Sequence, residues 1–188
     1  MARSITRSVT SGIAVAGLVA GAALAGAGVA NAQHTVTFNS PSTLSLDRNS
    51  AGQVLVGYEN RSGTDLGCAF VVSNASVVDG LDRHLRDSAD PVGAFIDPDT
   101  WPAALQTSVT RAIEAEEFNI GEGAVAEDYS GVVSITGGTD FPMDTTFPLH
   151  GLSMCADESN PSAVYVEFER TSGGGVFGSL GNLFGSAS

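Results

Sequence analysis

Two cysteines, 87 positions apart, constrain the fold of this chain more than any other feature. Cys68 lies in the apolar run 67–72 and Cys155 in the run 152–156, so each is expected within a buried strand. In an oxidising compartment such a pair usually forms a disulfide, with a reduced structural pair or a reactive thiol as alternatives. A zinc site is not indicated, because the three histidines are scattered along the chain. The sequence therefore predicts two buried strands joined by a Cys68–Cys155 disulfide.

The first 32 residues have the organisation of a secretory signal peptide. Arg3 and Arg7 precede an uncharged stretch, 13–30, that is rich in alanine, glycine and valine. A small-x-small triplet then ends at Ala32, directly before Gln33. We therefore expect cleavage between Ala32 and Gln33, an exported mature chain and no integral membrane span. A retained anchor is the alternative, since about 18 apolar residues approach the length of a bilayer span.

The charge of the chain excludes several functions. All eight Lys-plus-Arg positions are arginine, so a Schiff-base lysine and a P-loop lysine are impossible. The net charge of −13 becomes −15 when the leader and its two arginines are removed. Such an acidic chain repels phosphate backbones, so no nucleic-acid partner is expected. No cofactor is predicted. The leader, rich in alanine, glycine and valine, and the lack of lysine resemble secreted proteins of high-GC Gram-positive bacteria.

Alternation of apolar and polar residues predicts about seven strands in two regions, 34–74 and 124–170. The clearest is Ala163–Arg170, where two valines and Phe168 alternate with Tyr165, Glu167 and Glu169. The other strands are expected to contain Val36–Phe38, Leu44–Leu46, Val54–Tyr58, Ala69–Val72, Val132–Ile135 and Thr146–Cys155.

Between these regions, residues 76–122 change to helical spacing. The apolar stripe of the first helix, which Gly80 weakens, consists of Val77, Val78, Leu81 and Leu85. A second helix is predicted, with Asp99 or Thr100 as its cap and Pro102 in its first turn. Its buried face is expected to consist of Trp101, Leu105, Val109, Ala112 and Ile113. The pairs Asp90-Pro91 and Asp97-Pro98 predict the connection between the two helices.

Together these elements predict a mainly β (α+β) single domain over residues 33–170. We expect about seven antiparallel strands in an immunoglobulin-like sandwich or barrel, with a two-helix insert at about 76–122, a signal peptide before it and a flexible tail after it. The resemblance to the immunoglobulin fold is architectural, since two strand cysteines and about seven strands suit a sandwich. The details differ, because the helical insert separates the cysteines and contains Trp101.

Two weak constellations could carry chemistry, and no catalytic or metal-binding residue is assigned. His150 and Ser153, with nearby acids or His84, could form the site of a small secreted hydrolase, but Cys155 replaces the closing glycine of a GxSxG motif. A buried strand hydroxyl is the alternative for Ser153. Acidic groups without EF-hand spacing could bind calcium and stabilise the fold, or act as turn residues, helix caps and a solvated helix face. These acids are Asp97, Asp99, Asp157 and Glu158, and the series Asp79, Asp82, Asp87 and Asp90.

Residues 171–188 form a Gly/Ser-rich tail without any charge. Apolar residues recur in it at helical spacing and could contact a partner; they are Val176, Phe177, Leu180, Leu183 and Phe184. Because the tail has no basic residue, the expected partner is a protein or an uncharged envelope component, and a disordered terminus is the alternative. The sequence thus predicts a non-catalytic binding domain that is secreted or loosely associated with the cell envelope.

Overall fold

The structure is a computed structural model that describes residues 34–48, 54–133 and 148–170. The strands in these ranges are β1 (Thr35–Phe38), β2 (Thr43–Arg48), β3 (Val54–Glu59), β4 (Leu66–Ser73), β5 (Phe118–Val125), β6 (Ser130–Val132), β7 (His150–Asp157) and β8 (Ala163–Arg170). The α-helices are α1 (Ala75–Asp87), α2 (Pro91–Ile96) and α3 (Ala103–Glu114), with a 3-10 turn at Pro98–Thr100. The described chain is therefore mainly β with few helices, as the sequence predicts.

Five strands form the larger sheet, in the order β1-β8-β7-β4-β5, and three form the smaller sheet, in the order β2-β3-β6. All neighbouring strands are antiparallel except β1 and β8, which run parallel with Thr35 opposite Ala163 and Phe38 opposite Val166. The expectation of a wholly antiparallel arrangement is wrong at this edge. The physical reason is that β1 leads into β2 of the other sheet, so no hairpin fixes its direction against β8.

Three layers follow from the alternation of side chains in the larger sheet. In β7, Leu152 and Met154 pack against the helices, whereas Cys155 packs with side chains of the smaller sheet. Gly151 lies on that second face, and a Cβ atom there would come within 3.0 Å of Leu46 Cδ1 on β2. The helices therefore cover one face of the larger sheet, and the smaller sheet covers the other.

The immunoglobulin-like sandwich or barrel is not confirmed. No sheet in the described ranges closes into a barrel. In immunoglobulin domains the disulfide joins the two sheets, whereas Cys68 and Cys155 here oppose each other on neighbouring strands of one sheet. Sequence spacing could not reveal this difference, because a pair of strand cysteines is compatible with both arrangements.

The helical segment ends earlier than its predicted limit at residue 122. α1 has the predicted buried stripe, but Phe118–Val125 is strand β5, which pairs with β4 along its whole length. The sequence does not show the period-two alternation of β5, because the buried position Gly121 has no side chain. The predicted connection between the helices contains α2, with Pro91 in its first turn and Asp90 as its cap.

The second predicted helix, α3, begins later than its prediction, and one residue of its predicted buried face is exposed. Pro102 is its N-cap residue without a side-chain bond, and Asp97 caps the preceding 3-10 turn. Ile113 is 43% exposed, so it does not belong to the buried face, although the other four predicted residues do. Gly80 on α1 has a packing role, since a Cβ atom there would lie 2.9 Å from Leu105 Cδ1 of α3.

Candidate functional site

The two cysteines form the predicted disulfide. Cys68 on β4 and Cys155 on β7 are register partners, and their Cα atoms are 4.0 Å apart. Their side chains belong to the core between the two sheets, and Cys155 has no exposed surface. Because both cysteines of the chain are bonded, the alternatives of a reduced pair and of a reactive thiol are not supported.

A second feature of the same interior is a group of buried polar side chains, which we name the inter-sheet polar cluster. It consists of Ser42, Tyr58, Ser153 and Glu167, each at most 5% exposed. Ser153 on β7 is the register neighbour of Glu167 on β8. Tyr58 faces them from β3, and its ring packs edge-on against Phe70 of β4, with the centroids 6.1 Å apart. Three strands and the β1–β2 connection therefore bring four polar groups together between the sheets.

The electrostatics of this cluster centre on Glu167. Its Oε1 atom accepts a hydrogen bond of 2.9 Å from the backbone N–H of Ser40. Burial raises the pKa of the Glu167 carboxyl, and the hydrogen bonds from Ser40 oppose this effect. No ion pair to Glu167 occurs among the described side chains. The cluster therefore contains a buried acid without a cationic partner, an arrangement that favours the neutral carboxyl.

The hydroxyl groups around Glu167 are only partly satisfied. Burial raises the pKa of Tyr58 to about 12, and the negative charge of Glu167 adds to this effect. The hydroxyls of Ser42 and Ser153 are close enough to lower the Tyr58 pKa, so they lie beside its phenol group. Even so, the Tyr58 and Ser153 hydroxyls complete no hydrogen bond of good geometry within the described residues. Unsatisfied buried hydroxyls are rare in folded proteins and mark this cluster as unusual.

The residues considered for a hydrolase do not form a nucleophile–base pair. Ser153 is fully buried, as its alternative interpretation predicts. His150 lies three residues before it on β7, so the two side chains are on opposite faces of the sheet. His84 lies on α1, where its Nε2 atom is 3.5 Å from the Thr100 hydroxyl. A general base has to be within hydrogen-bond reach of its nucleophile, and neither histidine meets Ser153 in this way.

The acidic groups considered for calcium mostly have structural partners. Asp157 Oδ1 accepts hydrogen bonds from the Thr64 and Ser159 hydroxyls at 2.9 and 2.7 Å, and the Ser159 contact contributes most to lowering the Asp157 pKa. Asp90 and Asp97 are cap residues, as the alternative interpretation of these acids predicts. In the described part of the chain, no three His, Cys, Asp or Glu side chains are arranged to hold a metal ion.

Two shallow grooves lie on the outer surface of the helical layer. One has a volume of about 370 Å³ and runs between α1 and α3, where it includes Arg83, His84 and Asp87. The other has a volume of about 130 Å³ and lies beside Trp101 and the exposed Ile113. Neither groove contains an array of groups that points to one reaction.

Several predicted site residues lie outside the described residues. These are the cleavage residues Ala32 and Gln33 and the tail residues Val176, Phe177, Leu180, Leu183 and Phe184. Ile135 and Thr146, expected in strands, lie outside them as well. No helix within the described ranges is long and apolar enough to cross a membrane. The chain matches no protein-family model, no curated protein and no solved structure.

Proposed function

We propose that this chain is a secreted, non-catalytic binding domain that acts outside the cytoplasm, free or loosely associated with the cell envelope. The observation that carries the proposal is the buried Cys68–Cys155 disulfide, because such bonds persist in oxidising compartments. The leader-like residues 1–32 support the same compartment independently, since they combine two arginines, an apolar stretch and a small-residue cleavage site.

Binding is favoured over hydrolysis by the positions of the reactive side chains. A nucleophile has to reach its substrate, and Ser153 has no exposed surface. The acids that could bind calcium act largely as caps and turn residues, so a calcium-stabilised structure has no particular support either. A domain whose described residues assemble no reactive site is best suited to act through its surface.

The tail is the part of the chain that we propose for partner contact. All charged residues lie before position 171, and five large apolar residues recur after it. A segment of this kind suits a protein or an uncharged envelope component better than an anionic lipid surface, because it offers no basic group. The folded part then acts as an acidic, disulfide-bonded carrier for the tail.

The compartment is tested by expressing the whole chain in a secreting bacterial host and measuring the intact mass of the protein in the medium. We expect the mass of residues 33–188 less two hydrogens for the disulfide. The matched control is Ala32→Leu, which places a large residue at the cleavage site and should prevent processing. Recovery of the wild-type chain only in the membrane, uncleaved, or with two free thiols would contradict the proposal.

The tail contact is tested with two variants in a cross-linking experiment on intact envelopes. One variant ends at Arg170, and the other keeps the full length but has serine at the five apolar tail positions. Both should lose the cross-linked products and the envelope retention of the wild type. If the serine variant retains the wild-type products, the apolar residues of the tail are not the binding element.

A further inference from the structure

Glu167 lies at the place where the chain passes from the larger sheet to the smaller one. The connection between β1 and β2 contains Ser40, whose backbone N–H donates to the Glu167 carboxylate across 127 positions of sequence. The same connection continues to Ser42, whose backbone N–H donates to the Ser40 hydroxyl at 3.2 Å. The Ser42 hydroxyl in turn accepts a hydrogen bond of 3.0 Å from the backbone N–H of Arg61. One carboxyl group on β8 therefore holds the crossover that places β2 over the larger sheet.

Hydroxyl groups and apolar side chains surround Glu167. Among the described side chains, no cation forms an ion pair with it. From the smaller sheet it is faced by Tyr58 on β3 and by the apolar inward residues of β2. β7 contributes Ser153, and the titratable neighbours on the same face of β8 are Tyr165 and Glu169. Burial raises the pKa of Glu169 as well. Whether neutral or ionised, this neighbouring carboxyl supplies no attraction for a negative charge on Glu167.

We propose that the inter-sheet polar cluster makes the contact between the two sheets acid-responsive, with neutral Glu167 holding the sheets together and ionised Glu167 loosening them. On acidification the carboxylate takes one proton from solvent and becomes a carboxylic acid. The neutral carboxyl then leaves no buried charge among the hydroxyls of Tyr58, Ser153 and Ser42. The Ser40 N–H still has the second carboxyl oxygen as its acceptor. On ionisation the proton returns to solvent, and the buried negative charge keeps only the hydrogen bonds from Ser40.

The direction of the pH effect follows from the folded and unfolded states of Glu167. Burial raises its pKa above the ordinary value of 4.5. The folded state therefore binds the proton more tightly than the unfolded state does. The stabilisation is complete below the unfolded pKa and is lost as the pH rises through the folded pKa. We therefore expect the smaller sheet to be held most firmly at acidic pH and to open more readily at neutral pH.

The first experiment compares Glu167→Gln with Glu158→Gln, in which the replaced glutamate is exposed. The amide that Glu167→Gln introduces resembles the neutral carboxyl, because it offers an acceptor to Ser40 and donors to the hydroxyls. Thermal midpoints are measured from pH 4.5 to pH 8, together with hydrogen exchange at the β2 amides. In the wild type and in Glu158→Gln, the thermal midpoint and the protection of the β2 amides should both decrease as the pH rises. In Glu167→Gln, the thermal midpoint should depend less on pH and should be higher at pH 8 than in the wild type. A Glu167→Gln profile parallel to that of Glu158→Gln would overturn the proposal.

The second experiment needs no substitution at Glu167 and remains decisive if that variant does not fold. The side-chain carboxyl carbons of the wild-type protein are titrated by NMR. The midpoint of Glu167 should lie above the ordinary value of 4.5, because the folded chain buries this carboxylate without a cation among the described side chains. A Glu167 midpoint at or below 4.5 would show that the buried group is stable as an anion and would refute the acid-responsive contact.

Discussion

Removal of the Cys68–Cys155 bond tests how much of the fold depends on a single covalent contact. The bond joins residues separated by 87 positions, and a loop of that length gives a loss of about 4.6 kcal/mol in the chain-entropy model. Substitution of both cysteines by alanine also removes two buried sulfur atoms, at about 1 kcal/mol each by analogy with the loss of one buried methylene. Because a domain of this size is stable by only about 5–15 kcal/mol, the double variant should be close to unfolding at 37 °C.

The assay is guanidinium unfolding at pH 7, followed by the fluorescence of Trp101 and by circular dichroism. Trp101 is the one tryptophan of the chain and is buried, with its indole N–H donating to the Ala94 carbonyl at 2.8 Å. The oxidised wild type, the reduced wild type and Cys68→Ala/Cys155→Ala are compared, since the reduced protein keeps both sulfurs and isolates the cross-link. A loss below about 1 kcal/mol in the reduced protein, at an unchanged denaturant slope, would refute the entropic reasoning. That result would mean that β4 and β7 already remain close in the unfolded chain.

Three further substitutions test the contacts around this core. Asn60→Ala should lower the free energy of unfolding by about 2–4 kcal/mol, measured by chemical unfolding. The buried Nδ2 atom of Asn60 donates to two backbone carbonyls at 2.8 and 2.9 Å, and both would lose their partner. The control is Arg61→Ala at the exposed neighbour, which should change stability by no more than about 1 kcal/mol. Gly151→Val should cost about 1–3 kcal/mol, since its Cβ atom would lie 3.0 Å from Leu46 Cδ1 and force the sheets apart; an unchanged midpoint would show that β2 shifts freely. Asn74→Ala should lower the free energy of unfolding by about 1 kcal/mol, because it removes the cap of α1. Asn74→Ser keeps a capping hydroxyl and should retain most of that stability. Equal losses in both variants would argue against the cap.

The parts of the fold that the sequence predicts are those fixed by local patterns. The apolar stripe of α1 and the alternation in β8 are visible within a dozen residues, and both elements form as predicted. The parallel pairing of β1 with β8 could not be predicted, because it joins residues more than a hundred positions apart and no turn encodes it. The sequence pattern does not show β5 and α2 for local reasons, because Gly121 and Gly123 interrupt the alternation of β5, and α2 has only six residues, one of them Gly93.

The burial of Glu167 depends on contacts that no local pattern contains. Alternation along β8 places it on the polar side of the strand, and only the cover provided by the smaller sheet makes that side an interior. One signal was available in the partner strand. Gly151, Ser153 and Cys155 alternate on the corresponding face of β7, and a face made of small, uncharged residues indicates close packing more than contact with water.

The disulfide and the inter-sheet polar cluster lie on the same face of the larger sheet, but they hold different strands. Cys155 is two residues from Ser153 on β7, so the covalent bond ties β7 to β4 directly beside the cluster. Glu167 lies on the other side of β7, towards the edge formed by β8 and β1. Loosening at Glu167 therefore releases the β1–β2 crossover, whereas the β4–β7 pair stays fixed by the disulfide. Hydrogen exchange at neutral pH should accordingly increase first in β2 and last in β4, and removing the disulfide should abolish this order.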